Sequence, residues 1–166
     1  MLENMILEVI KKRRSIRSFR KGEIPEQTLK DIVDCARLAP TARNLQPWKF
    51  VVITRRSVLE EIADLTDYGK FLKEASICIL VFCQDTKYYL EDGCAATENI
   101  MIAAQAYGIG SCWIAGDKKQ YAGSISKIVG APPGWKLVSI IALGYPAENP
   151  IPSKKRLEDV LLWEHW

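Results

Sequence analysis

The chain has 166 residues, 48% of them hydrophobic and 26% charged, with a net charge of +3. These are the values of a globular chain with one domain, large enough to bury a core without staples. They exclude a membrane-spanning bundle, since the apolar runs fall short of a bilayer span, and a general polyanion binder, since the charge is mild.

Apolar residues Met5, Ile6, Val9 and Ile10 recur at helical spacing and predict a first helix over 3–12. Residues 1–8 lack a basic segment followed by an apolar one, so no secretory leader and a cytoplasmic location are expected. The Arg-rich stretch 13–20 reads as a loop. Pro25 then opens a helix over 26–38, with the stripe Leu29, Ile32, Val33 and Ala36, and Pro40 ends it. Residues 50–53 read as a buried strand, and Ser57 as the cap of a third helix. The unbroken apolar run 77–83 is that of a central strand buried on both faces. The Ala-rich stretch 89–107 is the longest predicted helix. It is apolar on most sides and belongs in the middle of the fold. Gly108 and Gly110 stop it. A strand begins at 111–114, a helix covers 118–129, and a last strand covers 137–143. Residues 147–156 are extended, and 157–163 form a short helix or an arm apolar enough to need a partner surface. Two helices followed by alternating strands and helices predict an α+β fold with a mixed sheet.

Four segments carry candidate chemistry. Arg13, Arg14, Ser15 and Arg17 offer guanidinium forks and a hydroxyl that suit phosphate; a solvated basic helix end is the plainer reading. In the stretch Pro40, Thr41, Ala42, Arg43, Asn44, Leu45, Gln46, Pro47, Trp48, the amides of Asn44 and Gln46 can read the edge of a pyrimidine-like ring. The two prolines stiffen that loop, though it could equally be a plain connection with Trp48 in the core. Gly108, Gly110 and Gly116 surround one strand, where glycine allows a close backbone approach to a ligand or simply a helix stop and a turn. Lys154, Lys155 and Arg156 form a second basic cluster, or a solvated tail. The five cysteines have no zinc or iron–sulfur spacing and read as buried reduced thiols, so no metal is expected. The one histidine, His165, is too near the chain end to serve a Ser–His or Cys–His pair.

The four segments occur together and in order: R-R-S-I-R-x-F, A-P-T-A-x-N-x-Q-P-W, G-I-G-S-C-W-I, and L-G-Y-P followed by K-x-R. Together they resemble the nitroreductase family of FMN enzymes. The resemblance spans nearly the whole chain, and the second motif is its most specific part. It implies one FMN-binding domain over 1–166, with a nitroreductase-like mixed central sheet flanked by helices. It also implies a domain-exchanged homodimer with FMN at the subunit interface. By position, Arg13 and Ser15 would meet the phosphate and ribityl chain, with Arg14 beside them. Arg17 would face the pyrimidine edge, where positive charge favours the reduced flavin anion. Pro40, Thr41, Ala42, Asn44 and Gln46 would come from the other subunit. Ile114, Ala115 and Gly116 would lie near flavin N5 and O4, and Lys154 and Arg156 would close on the phosphate. The implied activity is ping-pong hydride transfer from NADH or NADPH, through the flavin, to a nitroaromatic, quinone or similar conjugated acceptor. No side chain is needed as nucleophile or general acid. A dehalogenase-like or flavin-destroying relative, or a non-catalytic flavin carrier, are the alternatives. Neither nucleic acid nor membrane is an expected partner. Residues 67–70 depart from the family, since many members place Asn and Lys there; Lys70 is the available substitute. Ala115 stands where many members have Glu.

Overall fold

The computed structural model describes residues 5–166. Its first helix, α1, runs Met5–Lys12; positions 1–4, including the expected helix start, lie outside the described residues. Helix α2 spans Glu26–Arg37 and buries Leu29, Ile32 and Ala36, three members of the predicted stripe. Helix α3 spans Arg56–Leu65. Its N-cap is Arg55 rather than Ser57, and Ser57 sits inside the first turn. Two helices follow the strands of the second half, α4 at Tyr89–Ala106 and α5 at Ala122–Ile128.

Five strands form one sheet: β1 Phe19–Arg20, β2 Trp48–Ile53, β3 Ile77–Gln84, β4 Gly110–Ala115 and β5 Trp135–Pro146. The long strand β5 is the axis. It pairs with β3 along one edge, and with β4 and β1 end to end along the other. Strand β2 pairs with β3 and closes the far side. All these ladders are antiparallel. The parallel component expected of a mixed sheet is confined to one bridge, Ser15 to Ser111. The predicted loop 13–20 thus contributes both that bridge and β1, because the pairing partners lie some hundred residues away and leave no local pattern.

The apolar run of β3 works as its sequence requires. Ile77, Ile79, Val81 and Cys83 face one core cluster, with α2 and α4. Cys78, Leu80 and Phe82 face the other, with α3 and α5. Period-two alternation therefore buries both faces of the strand. Each large side chain so buried contributes about 1.5–3 kcal/mol. A register shift at Val81/Phe82 leaves Val138 as the extra residue of β5. Helix α4 packs into the middle, with Gly93, Ala96, Thr97, Ile100 and Ala104 buried. A Cβ at Gly93 would lie 2.7 Å from Val138, so only glycine lets the helix sit this close to the bulge. Its one buried hydroxyl, on Thr97, is satisfied by the Gly93 carbonyl at 2.8 Å and the Ser139 hydroxyl at 2.7 Å.

Candidate functional site

The basic segment after α1 is fastened to β4. The Ile16 N–H donates to the Ser111 carbonyl at 2.9 Å, and buried Ile16 packs against Gly110, where a Cβ would lie 2.9 Å away. This close fit places Arg13, Ser15 and Arg17 along the outer edge of β4. Arg13 is half-buried, its Nε 3.7 Å from Glu98 on α4. Arg14 turns back on its own turn, donating to the Lys11 and Arg13 carbonyls at 2.6 Å each. The Arg17 side chain forms no ion pair among the described residues. Its backbone N–H and that of Ser18 both donate to Glu148 Oε1, at 2.5 and 3.0 Å.

Beyond β4, Gly116 is buried and its N–H donates to the Val138 carbonyl at 3.1 Å, as does that of Asp117 at 3.2 Å. The β5 bulge therefore grips the turn after β4. The Ala115 carbonyl accepts from the Tyr121 hydroxyl at 2.5 Å, and the Tyr89 hydroxyl donates to Asp117 Oδ1 at 2.6 Å. The Asp117 bond pushes the Tyr89 pKa up to about 12. A cavity of about 130 Å³ opens here, with Arg17, Ile114, Ala115 and Lys119 among its lining residues. Two of the sequence-predicted segments thus meet in one place.

The amide loop lies elsewhere on the chain. Residues 42–44 form a 3₁₀ turn, and Arg43, Asn44 and Gln46 hold left-handed φ values of 55°, 56° and 49°. Such angles are costly for residues with a Cβ, least so for Asn. They are held by several bonds. The Ala42 N–H donates to Asp92 Oδ1 at 3.0 Å, the Gln46 N–H to Thr41 Oγ1 at 3.2 Å, and the Gln46 amide to Asn44 Oδ1 at 3.1 Å. Asn44 and Gln46 stay exposed, while Pro47 and Trp48 are buried. Pro40 is exposed as well. No hydrogen bond or ion pair among the described residues links this loop to Arg13–Arg17 or to Ile114–Gly116.

Lys154 and Arg156 stand on an arm, residues 151–166, that is exposed throughout. Arg156 is paired with Asp159 at 2.9 Å. A cavity of about 960 Å³ lies between β1 and the start of α3, and none of the predicted site residues lines it. Lys70 caps α3, donating to the Ala63 and Asp64 carbonyls at 3.2 and 2.9 Å. Burial raises the Cys112 thiol and pushes Cys78 and Cys83 up to about 12, so these sulfurs stay neutral. Among the described residues no cluster of His, Cys, Asp or Glu could hold a metal, and no helix is long and apolar enough to cross a membrane. Sequence reasoning missed Asp92, Glu148, Lys119 and Tyr121. Asp92 had a signal, as an acid on the helix read as apolar on most sides. The other three act through contacts that no local pattern announces.

The chain matches the sequence profile described as the Nitroreductase family over residues 10–75 and 68–145. It belongs to that family. A relative from Methanothermobacter thermautotrophicus, provisionally named an NADH dehydrogenase/NAD(P)H nitroreductase, is 35% identical over 154 residues, covering 87% of this chain and 79% of its own. Among solved structures, an FMN-dependent nitroreductase from Clostridium difficile is 26% identical with a TM-score of 0.89, covering 96% of this chain and 99% of its own. A protein from Desulfovibrio desulfuricans, provisionally named a nitroreductase and solved in complex with FMN, is 29% identical with a TM-score of 0.87 and covers 99% of both chains. The similarity in fold therefore extends over the basic segment, β4 and the amide loop alike.

Proposed function

We propose that this family member is an FMN-dependent oxidoreductase that takes hydride from NADH or NADPH and passes it to a nitroaromatic, quinone or similar flat acceptor, the two substrates using one slot in turn. The observation that carries this reading is the stitching of Ile16 to Ser111. It joins a cluster of arginines to the strand whose end, with Arg17, lines one cavity. The residues fit a phosphorylated flavin: the Arg17 side chain has no carboxylate partner among the described residues, no carboxylate lines the cavity, and two exposed amides are held ready on a strained loop. The FMN of the D. desulfuricans and C. difficile proteins and the nicotinamide in the name of the M. thermautotrophicus relative support the choice of cofactor and donor.

Bound FMN supplies the two-electron chemistry. The chain supplies position and charge. Arg13 and Ser15 hold the phosphate and ribityl chain with Arg14 beside them, Arg17 takes the pyrimidine edge, and Ile114, Ala115 and Gly116 form the wall near N5 and O4. Lys154 and Arg156 close on the phosphate, Arg156 exchanging Asp159 for it. Pro40, Thr41, Ala42, Asn44 and Gln46 come from a second copy of the chain. The neutral thiols take no part.

The same reading makes the protein a domain-exchanged homodimer. Ile151, Leu157, Val160, Leu162 and Trp163 are all exposed on the arm, more apolar surface than an isolated chain retains. The outer edge of β2 has no strand partner among the described residues, and a groove with Leu29, Val33 and Val52 in its lining runs beside it. An unpaired edge next to an apolar groove is a surface on which an extended arm can pair and bury its side chains.

A visible spectrum of the purified protein, followed by anaerobic NADH or NADPH, tests the proposal. A yellow protein that carries FMN and bleaches is expected. Yellow protein that neither nicotinamide bleaches overturns the nicotinamide-dependent reading, and leaves a flavin carrier or an enzyme with a different electron donor. Colourless protein that refuses added FMN ends the flavin assignment as well.

A further inference from the structure

The small cavity beside Ala115 holds a second cation that neither the motifs nor the proposed FMN contacts include. Besides Arg17, its lining contains Lys119, with Tyr68, Phe71 and Tyr121 as aromatic walls. The other lysines near this end of the fold are committed. Lys70 donates to two carbonyls of α3, Lys73 pairs with Asp64 at 2.6 Å, and Lys118 lies 4.0 Å from Asp117. The ammonium of Lys119 has no ion pair or side-chain hydrogen bond among the described residues. The neighbouring carboxylates are outside the lining and engaged. Glu148 accepts from the backbone N–H groups of Arg17 and Ser18, Asp117 is engaged by Tyr89, and Asp67 is felt by Tyr121. Two residues with uncommitted cationic side chains thus line a space without a carboxylate.

The size of that space narrows its occupant. A cavity of about 150 Å³ takes a benzene ring, and this one is about 130 Å³. It suits one six-membered ring between aromatic walls, with an electron-rich edge toward the cations. The backbone holds Lys119 in place: its N–H donates to the Gly116 carbonyl at 3.4 Å, and its carbonyl accepts from Ala122 at 3.0 Å. Gly116 is in turn fixed to the β5 bulge.

We propose that Lys119 is a further cofactor-edge residue, which with Arg17 seats the pyrimidine end of the flavin and favours its reduced, anionic form over the oxidised, neutral one. The assignment rests on the flavin reading above. A cation beside a ring that gains negative charge on reduction lowers the energy of the reduced form selectively. Oxidised FMN, neutral at that end, gains little from it.

The test compares wild type with K119M, K119Q, K119R and K118M, all loaded with FMN. The dissociation constant for oxidised FMN and the two-electron midpoint potential are measured for each. K119M and K119Q should bind oxidised FMN within about three-fold of wild type, yet favour the reduced form about ten-fold less. That corresponds to a potential about 30 mV more negative. K119R should restore most of the shift, and K118M should leave it unchanged. Wild-type potentials in K119M and K119Q overturn the role of Lys119. An equal shift in K118M overturns it too, since a general surface charge would then explain the effect. Wild-type protein that takes up no FMN overturns the flavin reading itself, which is a separate result.

Discussion

Replacing Asp92 with Ala should loosen the amide loop far more than it destabilises the protein. The loop holds three left-handed residues, Arg43, Asn44 and Gln46, and each costs about 1–2 kcal/mol, with Asn at the low end. What holds them includes a charge-assisted bond, from the Ala42 N–H to a carboxylate only 4% exposed, at 3.0 Å. A hydrogen bond to a charged group is worth about 1.5–3 kcal/mol. Its loss shifts the balance between ordered and open loop by about ten- to hundred-fold. If FMN binds only the ordered loop, its dissociation constant rises by up to that factor, the full factor applying where the open loop is the major form of the free protein. Global stability falls less, because the substitution also removes Asp92 Oδ2, which is buried without a hydrogen-bond partner among the described residues. Relief of such a group returns about 1–3 kcal/mol. Asp92→Asn keeps an acceptor at about half the strength and should fall between. Flavin fluorescence titration measures the affinity, and thermal melting of the apoprotein measures stability. Unchanged FMN affinity in the Ala variant would refute the idea that Asp92 orders the loop for binding. A large fall in melting temperature with unchanged affinity would make Asp92 purely structural.

Three further predictions concern the cofactor, the arm and the acids with raised pKa values. Changing Arg13 and Arg156 together to Ala should release FMN on gel filtration, because one cation from each of the two basic clusters assigned to the phosphate is gone; stoichiometric flavin in the variant would refute that assignment. Deleting residues 151–166 should give a monomer by light scattering with a folded core and no bound FMN, since that arm is exposed throughout in the single chain. A truncated dimer that keeps FMN would refute the exchanged arm. Folding favours the neutral forms of Cys78, Cys83 and Tyr89, each pushed up to about 12. The stability they contribute is complete below their ordinary values, 9.0 for the thiols and 10.0 for tyrosine, and is lost as pH climbs through about 12. Chemical denaturation should therefore show stability falling above pH 9, and Tyr89→Phe should flatten the part of that fall above pH 10. An unchanged alkaline limb in the variant would refute the Tyr89–Asp117 coupling.

The sequence by itself determined the elements whose apolar pattern is local. The run 77–83 reads as a strand buried on both faces because alternate side chains feed two cores. The stretch 89–107 reads as a central helix because small and apolar residues cover most of its sides, and α4 at Tyr89–Ala106 follows it closely. The basic segment, the amide loop and the glycines around β4 were also visible, since their residue types carry the chemistry directly. Tertiary structure alone decided how these parts meet. Strand β1 and the bridge at Ser15 exist only through partners at 145–146 and at Ser111, and two or three residues of strand have no period to detect. Glu148 reaches Arg17 and Ser18 across 131 and 130 positions. Lys119 differs from Lys70 and Lys118 only in what surrounds it. Burial and charge partners are properties of the assembled chain, so which lysine is left uncommitted at the cavity became known only when the turn after β4 was placed against β5.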